Sequence, residues 1–129
     1  MDEQRDWITE AVIGAAIEVH RSLGPGLMES AYAACLAQEL RLRGVGIEQE
    51  VPIPIDYKGV HVDCGYRIDL LVEREVVVEL KAVRRIEPIH QAQLLTYLRC
   101  TRKRLGLLIN FNGPVLSDGV RRLVNPDAR

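Results

Sequence analysis

Two acids and a lysine lie within two mostly apolar stretches in the middle of the chain. Asp69 lies within residues 66–72, whereas Glu79 and Lys81 lie within residues 76–83. Two carboxylates and an ammonium group gathered at one place could bind a divalent cation and stabilise a phosphate under attack by water. The same trio could also form a salt-bridged strand face. The choice depends on whether the fold brings the three side chains together.

The spacing of these residues predicts that they share one face of a β-hairpin. Side chains alternate between the two faces of a strand, so the odd positions are expected on the charged face. Those positions are Arg67, Asp69, Leu71 and Glu73 in the first strand, and Val77, Glu79, Lys81 and Val83 in the second. A two-residue loop would put Asp69 and Glu79 on opposite faces. We therefore expect a three-residue loop, Glu73 to Glu75, which pairs Val72 with Val76 and sets Asp69 opposite Glu79.

Two carboxylates placed in this way repel each other unless a cation lies between them. Oxygen ligands of this kind, with a backbone carbonyl and several waters, are those that Mg²⁺ or Mn²⁺ prefers. Lys81 lies two residues beyond Glu79 on the same face, where its ammonium group could orient or deprotonate an attacking water. The trio therefore predicts a site for Mg²⁺ or Mn²⁺.

Helical and extended segments follow one another in an order that predicts a mixed α/β fold. Apolar residues at spacings of three and four predict a helix from Trp7 to Leu23. Gly24-Pro25-Gly26 ends it, and a second helix is expected from about Met28 to Gly44. Strands are expected at 47–55, 66–72, 76–83 and 105–111, with a third helix from Pro88 to just before Arg102. Pro52 and Pro54 favour a sheet edge or a bulge for the first strand.

These elements form an αβββαβ core with an extra N-terminal helix. The third helix connects two strands, which implies a right-handed parallel crossover, whereas the hairpin is antiparallel. We therefore expect a mixed central sheet flanked by helices, with residues 120–124 as a short final strand or a tail. The sequence contains neither an internal repeat nor a linker, so residues 1–129 are expected to form a single domain.

Charge is distributed unevenly along the chain. The formal net charge is -1, but residues 1–64 carry 11 acids and 5 bases, and residues 65–129 carry 7 acids and 12 bases. Arg99, Arg102, Lys103 and Arg104 form a basic cluster in the second half. These residues could contact the phosphate backbone of a nucleic acid without reading its sequence. The alternative is a solvated basic face.

The composition argues against several other classes of protein. The chain contains no run of about 18 apolar residues that could cross a bilayer, and its first six residues are acidic where a signal peptide would be basic. We therefore expect a cytoplasmic protein that does not bind membranes. Cys35, Cys64 and Cys100 are an odd number and form no CxxC motif, so they are expected to be buried free thiols.

Five motifs taken together resemble the PD-(D/E)XK nuclease superfamily. Asp69 with Glu79-Leu80-Lys81 is similar to its signature, except that Ile68 stands where proline is frequent. Residues 93–97, QLLTY, resemble the QxxxY helix motif of the RecB-like exonuclease branch. Residues 26–32, GLMESAY, resemble the signature of the GxxExxY protein family. The segments 19–26 and 106–111 also look typical of that family.

The resemblance implies a restriction-endonuclease-like fold and a metal-dependent nuclease that hydrolyses phosphodiester bonds, most plausibly in DNA. Asp69 and Glu79 would then hold Mg²⁺ or Mn²⁺, and Lys81 would be the catalytic lysine. Gln93 and Tyr97, at positions i and i+4 of one helix, would support Lys81 or touch the substrate backbone. Their alternative role is ordinary core polarity.

Two further residues gain a functional interpretation only from the resemblance. Glu29 would be a third carboxylate of the metal site, although an acid in the first turn of a helix is also favoured by the helix dipole. His20 would have a supporting role, since RecB-like enzymes often place a metal-binding histidine upstream of the aspartate. A cation near the end of a helix is favourable in any case.

The sequence is also compatible with a second, non-catalytic function. The acidic first half would repel DNA, and 5% aromatic residues offer few surfaces for stacking bases. A nuclease-like module that binds or regulates a partner without doing chemistry is therefore the alternative. A chain this small could also gain substrate-binding surface by forming a homo-oligomer.

Overall fold

A computed structural model describes residues 3–129 of the chain. Two helices come first, α1 (Glu3–Leu23) and α2 (Glu29–Leu42). The first extended segment follows as β1 (Ile47–Pro52) and a small hairpin, β2 (Ile55–Tyr57) and β3 (Val60–Val62). The remaining elements are β4 (Arg67–Val72), β5 (Val76–Lys81), α3 (Pro88–Thr101), β6 (Leu105–Asn110), a 3₁₀ turn (Leu116–Gly119) and β7 (Val120–Val124).

Five of the strands form one mixed sheet in the order β1-β4-β5-β6-β7. β5 and β6 run parallel on either side of the α3 crossover, whereas the other neighbouring pairs are antiparallel. This arrangement confirms the predicted α/β class, the mixed sheet and the extra N-terminal helix. β1 lies at the sheet edge, as Pro52 and Pro54 of the expected strand favoured, because a proline cannot donate a ladder hydrogen bond.

The sheet separates two hydrophobic layers, each covered by the helices whose apolar spacing the sequence shows. On one side α1 and α2 pack against the sheet through residues that include Val12, Leu36 and Leu80. On the other side α3 contributes Leu94 and Leu98. None of the helices in residues 3–129 combines the length and apolar character needed to cross a membrane.

Two expectations about the middle of the chain were wrong. Residues 47–55 were expected as one strand, but the strand ends at Pro52, and Ile55 begins a separate two-stranded sheet. Ile53 N–H bonds the carbonyl of Tyr66 across the gap, at 3.1 Å, so the chain turns away between the two prolines. The cysteines are free, but none is fully buried: Cys35 and Cys100 are partly buried, and Cys64 is exposed because it lies in the irregular segment before β4.

Candidate active site

The hairpin of β4 and β5 opens at the two acidic residues. Val72 pairs with Val76 and Leu70 with Val78, which confirms the predicted three-residue loop and its register. Asp69 and Glu79 are the next positions in this register, and the backbone ladder ends before them. Asp69 N–H donates instead to Oε1 of Glu79, at 3.1 Å, and Leu80 N–H donates to Oδ2 of Asp69, at 2.8 Å. Each carboxylate therefore accepts a hydrogen bond from a backbone N–H of the other strand, in place of a backbone carbonyl.

The predicted alternation of faces fails at Asp69. Ile68 was expected on the same face as Leu70, but it packs in the α3 layer, whereas Leu70 packs in the layer of α1 and α2. Glu50 of β1 has a φ of 53°, a left-handed conformation, and the pairing of β1 with β4 omits Glu50 and Asp69. This irregularity interrupts the regular pleat beside Asp69. Asp69 therefore lies where the strand changes face.

Burial and mutual repulsion make both carboxyl groups weak acids. Glu79 is only 6% exposed, and burial, followed by the charge of Asp69, raises its pKa to about 8. Burial is also the main cause that raises the pKa of Asp69, and the carboxylates of Glu50 and Glu29 add to it. The pair therefore holds a proton at neutral pH unless a cation takes its place.

A short polar row extends from Lys81 along α3. Lys81 Nζ donates to Oε1 of Gln93, at 3.4 Å, and Gln93 Nε2 donates to the hydroxyl of Tyr97, at 3.0 Å. Burial and the nearby charge of Glu79 raise the pKa of Tyr97, so its hydroxyl stays protonated. Gln93 and Tyr97 thus lie on the same side of their helix, and Gln93 contacts the lysine directly.

The first turn of α2 brings a third carboxylate to the edge of the site. Glu29 Oε2 accepts a hydrogen bond from Ala82 N–H at 3.4 Å, one residue beyond Lys81. A cavity of about 660 Å³ opens between α2 and the sheet, and Glu29, Glu50, Asp69 and Ala82 are among the residues that line it. The side chain of Asp69 is thus accessible from a cleft large enough for a ligand.

The loop between α1 and α2 is fixed by the tyrosine of the GLMESAY motif. The Tyr32 hydroxyl donates to the carbonyl of Gly24, at 2.6 Å, and accepts from Leu27 N–H, at 3.1 Å. Its ring stacks on Phe111 with centroids 4.5 Å apart. Gly26 has a φ of 108°, which favours glycine. These contacts determine where α2 begins, and therefore where Glu29 lies.

The donor atoms of the acidic pair fit a hard divalent cation. In the part of the chain that the structure describes, Oδ1 of Asp69 and Oε2 of Glu79 accept no hydrogen bond, so each carboxylate keeps one oxygen for a ligand. The described residues contain no group of three or more acidic, histidine or cysteine side chains arranged to hold a metal. Glu29 therefore does not complete such a set. Mg²⁺ commonly binds to one or two carboxylates and keeps several waters, and the pair fits that pattern.

The remaining predicted site residues lie elsewhere. His20 is buried against Phe111, and its Nε2 lies 2.8 Å from the carbonyl of Gly113. None of the contacts described for its side chain involves Glu29, Asp69 or Glu79. His20 thus connects the end of α1 to the loop after β6, which is a structural contact.

The basic cluster of Arg99, Arg102, Lys103 and Arg104 lies at the opposite end of the sheet from the acids. β6 begins beside Val76 and ends beside Lys81, and the cluster precedes Leu105. Lys103 Nζ donates to the carbonyl of Arg74 in the hairpin loop, at 2.8 Å. Five residues of strand separate the two ends, about 16 Å. The structure therefore does not bring the basic cluster and the acidic pair into one site.

Two residues that position the site were not found from the sequence. Glu50 was assigned only to a strand, because its approach to Asp69 depends on the pairing of β1 with β4. Asn110 is buried at the end of β6, where its side chain accepts from Val83 N–H and donates to the Val83 carbonyl. It therefore holds the chain just beyond Lys81. The only signal for Asn110 in the sequence was that it is a polar residue at the end of an apolar run.

Comparison with known proteins agrees with this geometry. The chain matches no curated protein and no solved structure at a significant level. A family model described as the PD-(D/E)XK nuclease superfamily matches residues 6–123, which includes the acidic pair, Lys81 and the row along α3. The match covers most of the chain, and the observed mixed sheet agrees with it. The chain therefore belongs to the PD-(D/E)XK nuclease superfamily.

Proposed function

We propose that this protein is a metal-dependent nuclease that hydrolyses phosphodiester bonds in DNA, using Mg²⁺ or Mn²⁺. The observation that carries the proposal is the opened hairpin, where Asp69 and Glu79 cross to the opposite strands beside Lys81. Membership of the superfamily supports the reaction class. The motifs GLMESAY and QLLTY further support a GxxExxY protein related to the RecB-like branch.

The two acids are held for metal binding by the fold itself. One oxygen of each carboxylate is fixed to backbone N–H of the other strand, so the second oxygen has little freedom to rotate away. A bound Mg²⁺ or Mn²⁺ would lower the pKa of a coordinated water and offset the charge of the phosphate. The raised pKa values of Asp69 and Glu79 support metal binding by the pair, because a bound cation relieves the repulsion between the two buried carboxylates.

Lys81 supplies the positive charge next to the pair. Its charge acts on both carboxylates, and Gln93 holds the ammonium group from the side of α3. In this position Lys81 orients the attacking water and stabilises the charge that develops on the phosphate. Gln93 acts as a positioning residue because it contacts Lys81. Tyr97 acts as a positioning residue because it accepts a hydrogen bond from Gln93.

The experiment that tests the proposal is cleavage of labelled single-stranded DNA, double-stranded DNA and RNA with Mg²⁺, with Mn²⁺ and with EDTA. We expect metal-dependent cleavage by the wild type, and a loss of at least about a hundredfold in Asp69→Asn, Glu79→Gln and Lys81→Met. Glu48→Gln and Lys58→Met are the matched controls, since both residues are exposed and lie outside the site. Equal rates in all five variants would refute the proposal.

A second candidate is a nuclease-like module that binds nucleic acid or a protein without cleaving it. One observation favours it: the described residues offer two carboxylates but no larger ligand set. Its signature would be nucleic acid bound by the wild type with no cleavage in either metal. The same assay therefore separates the two candidates.

A further inference from the structure

A second cavity, of about 460 Å³, begins on the far side of the polar row. It lies between α3 and the segment that connects β1 to β4, and it shares Gln93 and Tyr97 with the row. Its remaining lining is mostly apolar or aromatic: Ile53, Ile55, Tyr66, Ile89, Ala92 and Cys100, with His90 and Thr96. The lining includes no acidic side chain. The cavity is therefore different in character from the acidic cleft on the side of α2.

An exposed tyrosine, Tyr66, packed against the buried Tyr97, gives this cavity a wall on which a flat ring can stack. The rings of Tyr66 and Tyr97 lie 6.2 Å apart at their centroids and are inclined by 53°. Tyr66 is 46% exposed, although it is large and mostly apolar, and Ile89 at the rim is 70% exposed. Neighbouring apolar side chains exposed in a concave surface mark a place where a flat, weakly polar ligand is favoured over water.

The cavity is continuous with the proposed catalytic groups. Gln93 lines the cavity and at the same time accepts the hydrogen bond of Lys81 at 3.4 Å. Tyr97 lines it too, and its hydroxyl is near enough to Glu79 for that charge to affect it. A nucleic acid strand with a phosphate at Lys81 would therefore bring a neighbouring nucleotide near the cavity, which begins at Gln93.

We propose that this cavity receives an unpaired base of the substrate strand next to the scissile phosphate, so that the enzyme acts on single-stranded or frayed DNA. This inference rests on the proposed function. A base in a duplex is stacked and paired, and it must leave the helix before it can enter such a pocket. Aromatic faces accept any base, so the proposed contact selects for strandedness and not for sequence.

Binding to a labelled single-stranded oligonucleotide tests the proposal directly. The Glu79→Gln background prevents cleavage during the measurement. In that background we expect Tyr66→Ala to weaken binding about 5- to 100-fold, the usual range for one stacked base, and Tyr66→Phe to retain most of the affinity. Tyr57→Ala is the matched control, because Tyr57 is 63% exposed but does not line the cavity. We expect it to bind like the background protein.

A strand with one abasic position separates stacking from a general effect on the surface. With the gap next to the cleaved phosphate, Tyr66→Ala and its background should bind equally, because the contact is already missing. Unchanged affinity of Tyr66→Ala for intact single strands would overturn the proposal, as would tighter binding to duplex than to single strand. A changed oligomeric state of Tyr66→Ala by light scattering, with unchanged strand affinity, would instead identify the cavity as a protein contact.

The two proposals can fail separately. Absence of cleavage, with binding that still depends on Tyr66, would refute the nuclease function but leave the base pocket in place. Metal-dependent cleavage with equal KM for single strands in wild type and Tyr66→Ala would refute the base pocket but leave the nuclease function in place. Thermal unfolding of Tyr66→Ala confirms that the variant is folded, as its half-exposed position leads us to expect.

Discussion

At the scale of single residues, the most informative group is the Glu79 carboxyl. An unpaired charge at 6% exposure would lower the stability of the fold. The buried Glu79 carboxyl group avoids this because it either holds a proton or neutralises a cation. Asp69 Oδ2 and Glu79 Oε1 each replace a missing ladder acceptor. The acids therefore contribute to the structure of the hairpin as well as to the proposed chemistry.

The raised pKa of Glu79 predicts how the stability of the metal-free protein depends on pH. In the unfolded chain this group ionises near its ordinary value of 4.5, whereas in the folded protein it keeps its proton until about pH 8. The unfolded state therefore binds fewer protons between these values, so the free energy of unfolding falls as pH rises from 4.5 to 8 and levels off above. Thermal unfolding in EDTA across this range measures the slope.

Glu79→Gln is the variant that isolates this effect. It should flatten the decline and make the metal-free protein more stable than the wild type at pH 8, because no proton is lost from the amide. Glu48→Gln, at an exposed position, should keep the wild-type slope. A wild-type stability that rises with pH over the same range would contradict the assignment.

The position of Asp69 opposite Glu79 could be predicted from the sequence because the length of the hairpin loop fixes the register. Sequence reasoning could not identify Glu50. Its left-handed backbone and its position beside Asp69 arise from the pairing of β1 with β4, which joins segments about 20 residues apart. No local pattern encodes that contact. The same irregularity explains why Ile68 lies on the α3 side.

At the scale of elements, the position of α3 depends on a glycine in β6. A Cβ atom on Gly106 would lie 3.0 Å from Cδ1 of Leu94, so the absence of a side chain allows α3 to pack closely on the sheet. Leu94 is the neighbour of Gln93. The close packing of this helix therefore also sets the contact between Gln93 and Lys81.

We expect Gly106→Ala to lower the free energy of unfolding by about 1–3 kcal/mol, as overpacking of a core does. It should also reduce the rate of cleavage, because a shift of α3 moves Gln93 away from Lys81. Denaturant titration and the cleavage assay measure the two effects. Gly113→Ala is the control, since a Cβ there meets nothing closer than 3.9 Å. Wild-type stability and activity in Gly106→Ala would refute this view of the α3 contact.

The loop before α2 offers a second prediction at this scale. Tyr32→Phe removes the hydroxyl that bonds Gly24 and Leu27, and we expect a loss of stability of about 1–2 kcal/mol. Cleavage should weaken further, because the first turn of α2, which carries Glu29, is no longer fixed. Tyr57→Phe, in which an exposed hydroxyl is lost, should change neither quantity. An unchanged melting temperature of Tyr32→Phe would argue against this role of the loop.

Helix and strand positions were largely predictable, since long apolar periodicities and the Gly-Pro-Gly turn leave few alternatives. The small hairpin of β2 and β3 was not. Its strands have only three residues each, too few for a period to be recognised. Pro52 and Pro54 signalled an irregularity, but not that the chain would leave the main sheet there.

At the scale of the whole molecule, the two ends of the sheet differ in charge. Lys81 lies where β5 ends, two residues beyond Glu79, and the basic cluster lies where β5 begins, about 16 Å from Lys81. The sequence predicted that the basic cluster could contact the phosphate backbone of a nucleic acid, but it did not indicate how far the cluster lies from the acids. The parallel crossover carries Arg99 to Arg104 to the far end.

This separation predicts a dependence on the length of the substrate. In the paired part of a frayed substrate each strand rises about 3.4 Å per nucleotide, so about five paired nucleotides span the distance between the two ends of the sheet. We expect Arg102→Ala with Lys103→Ala to weaken binding of long substrates and to reduce the dependence of binding on salt, with little effect on substrates that extend fewer than five nucleotides from the cleaved bond. A series of oligonucleotide lengths at two salt concentrations tests this. Equal effects at every length would contradict it.

The central claim is that Asp69 and Glu79 jointly bind a divalent cation beside Lys81. Anomalous diffraction from a crystal soaked in Mn²⁺ tests this most directly. We expect a peak in contact with Oδ1 of Asp69 and Oε2 of Glu79, with the ammonium group of Lys81 alongside, and no such peak in Glu79→Gln. A soaked wild-type crystal with no peak between the two carboxylates would contradict it.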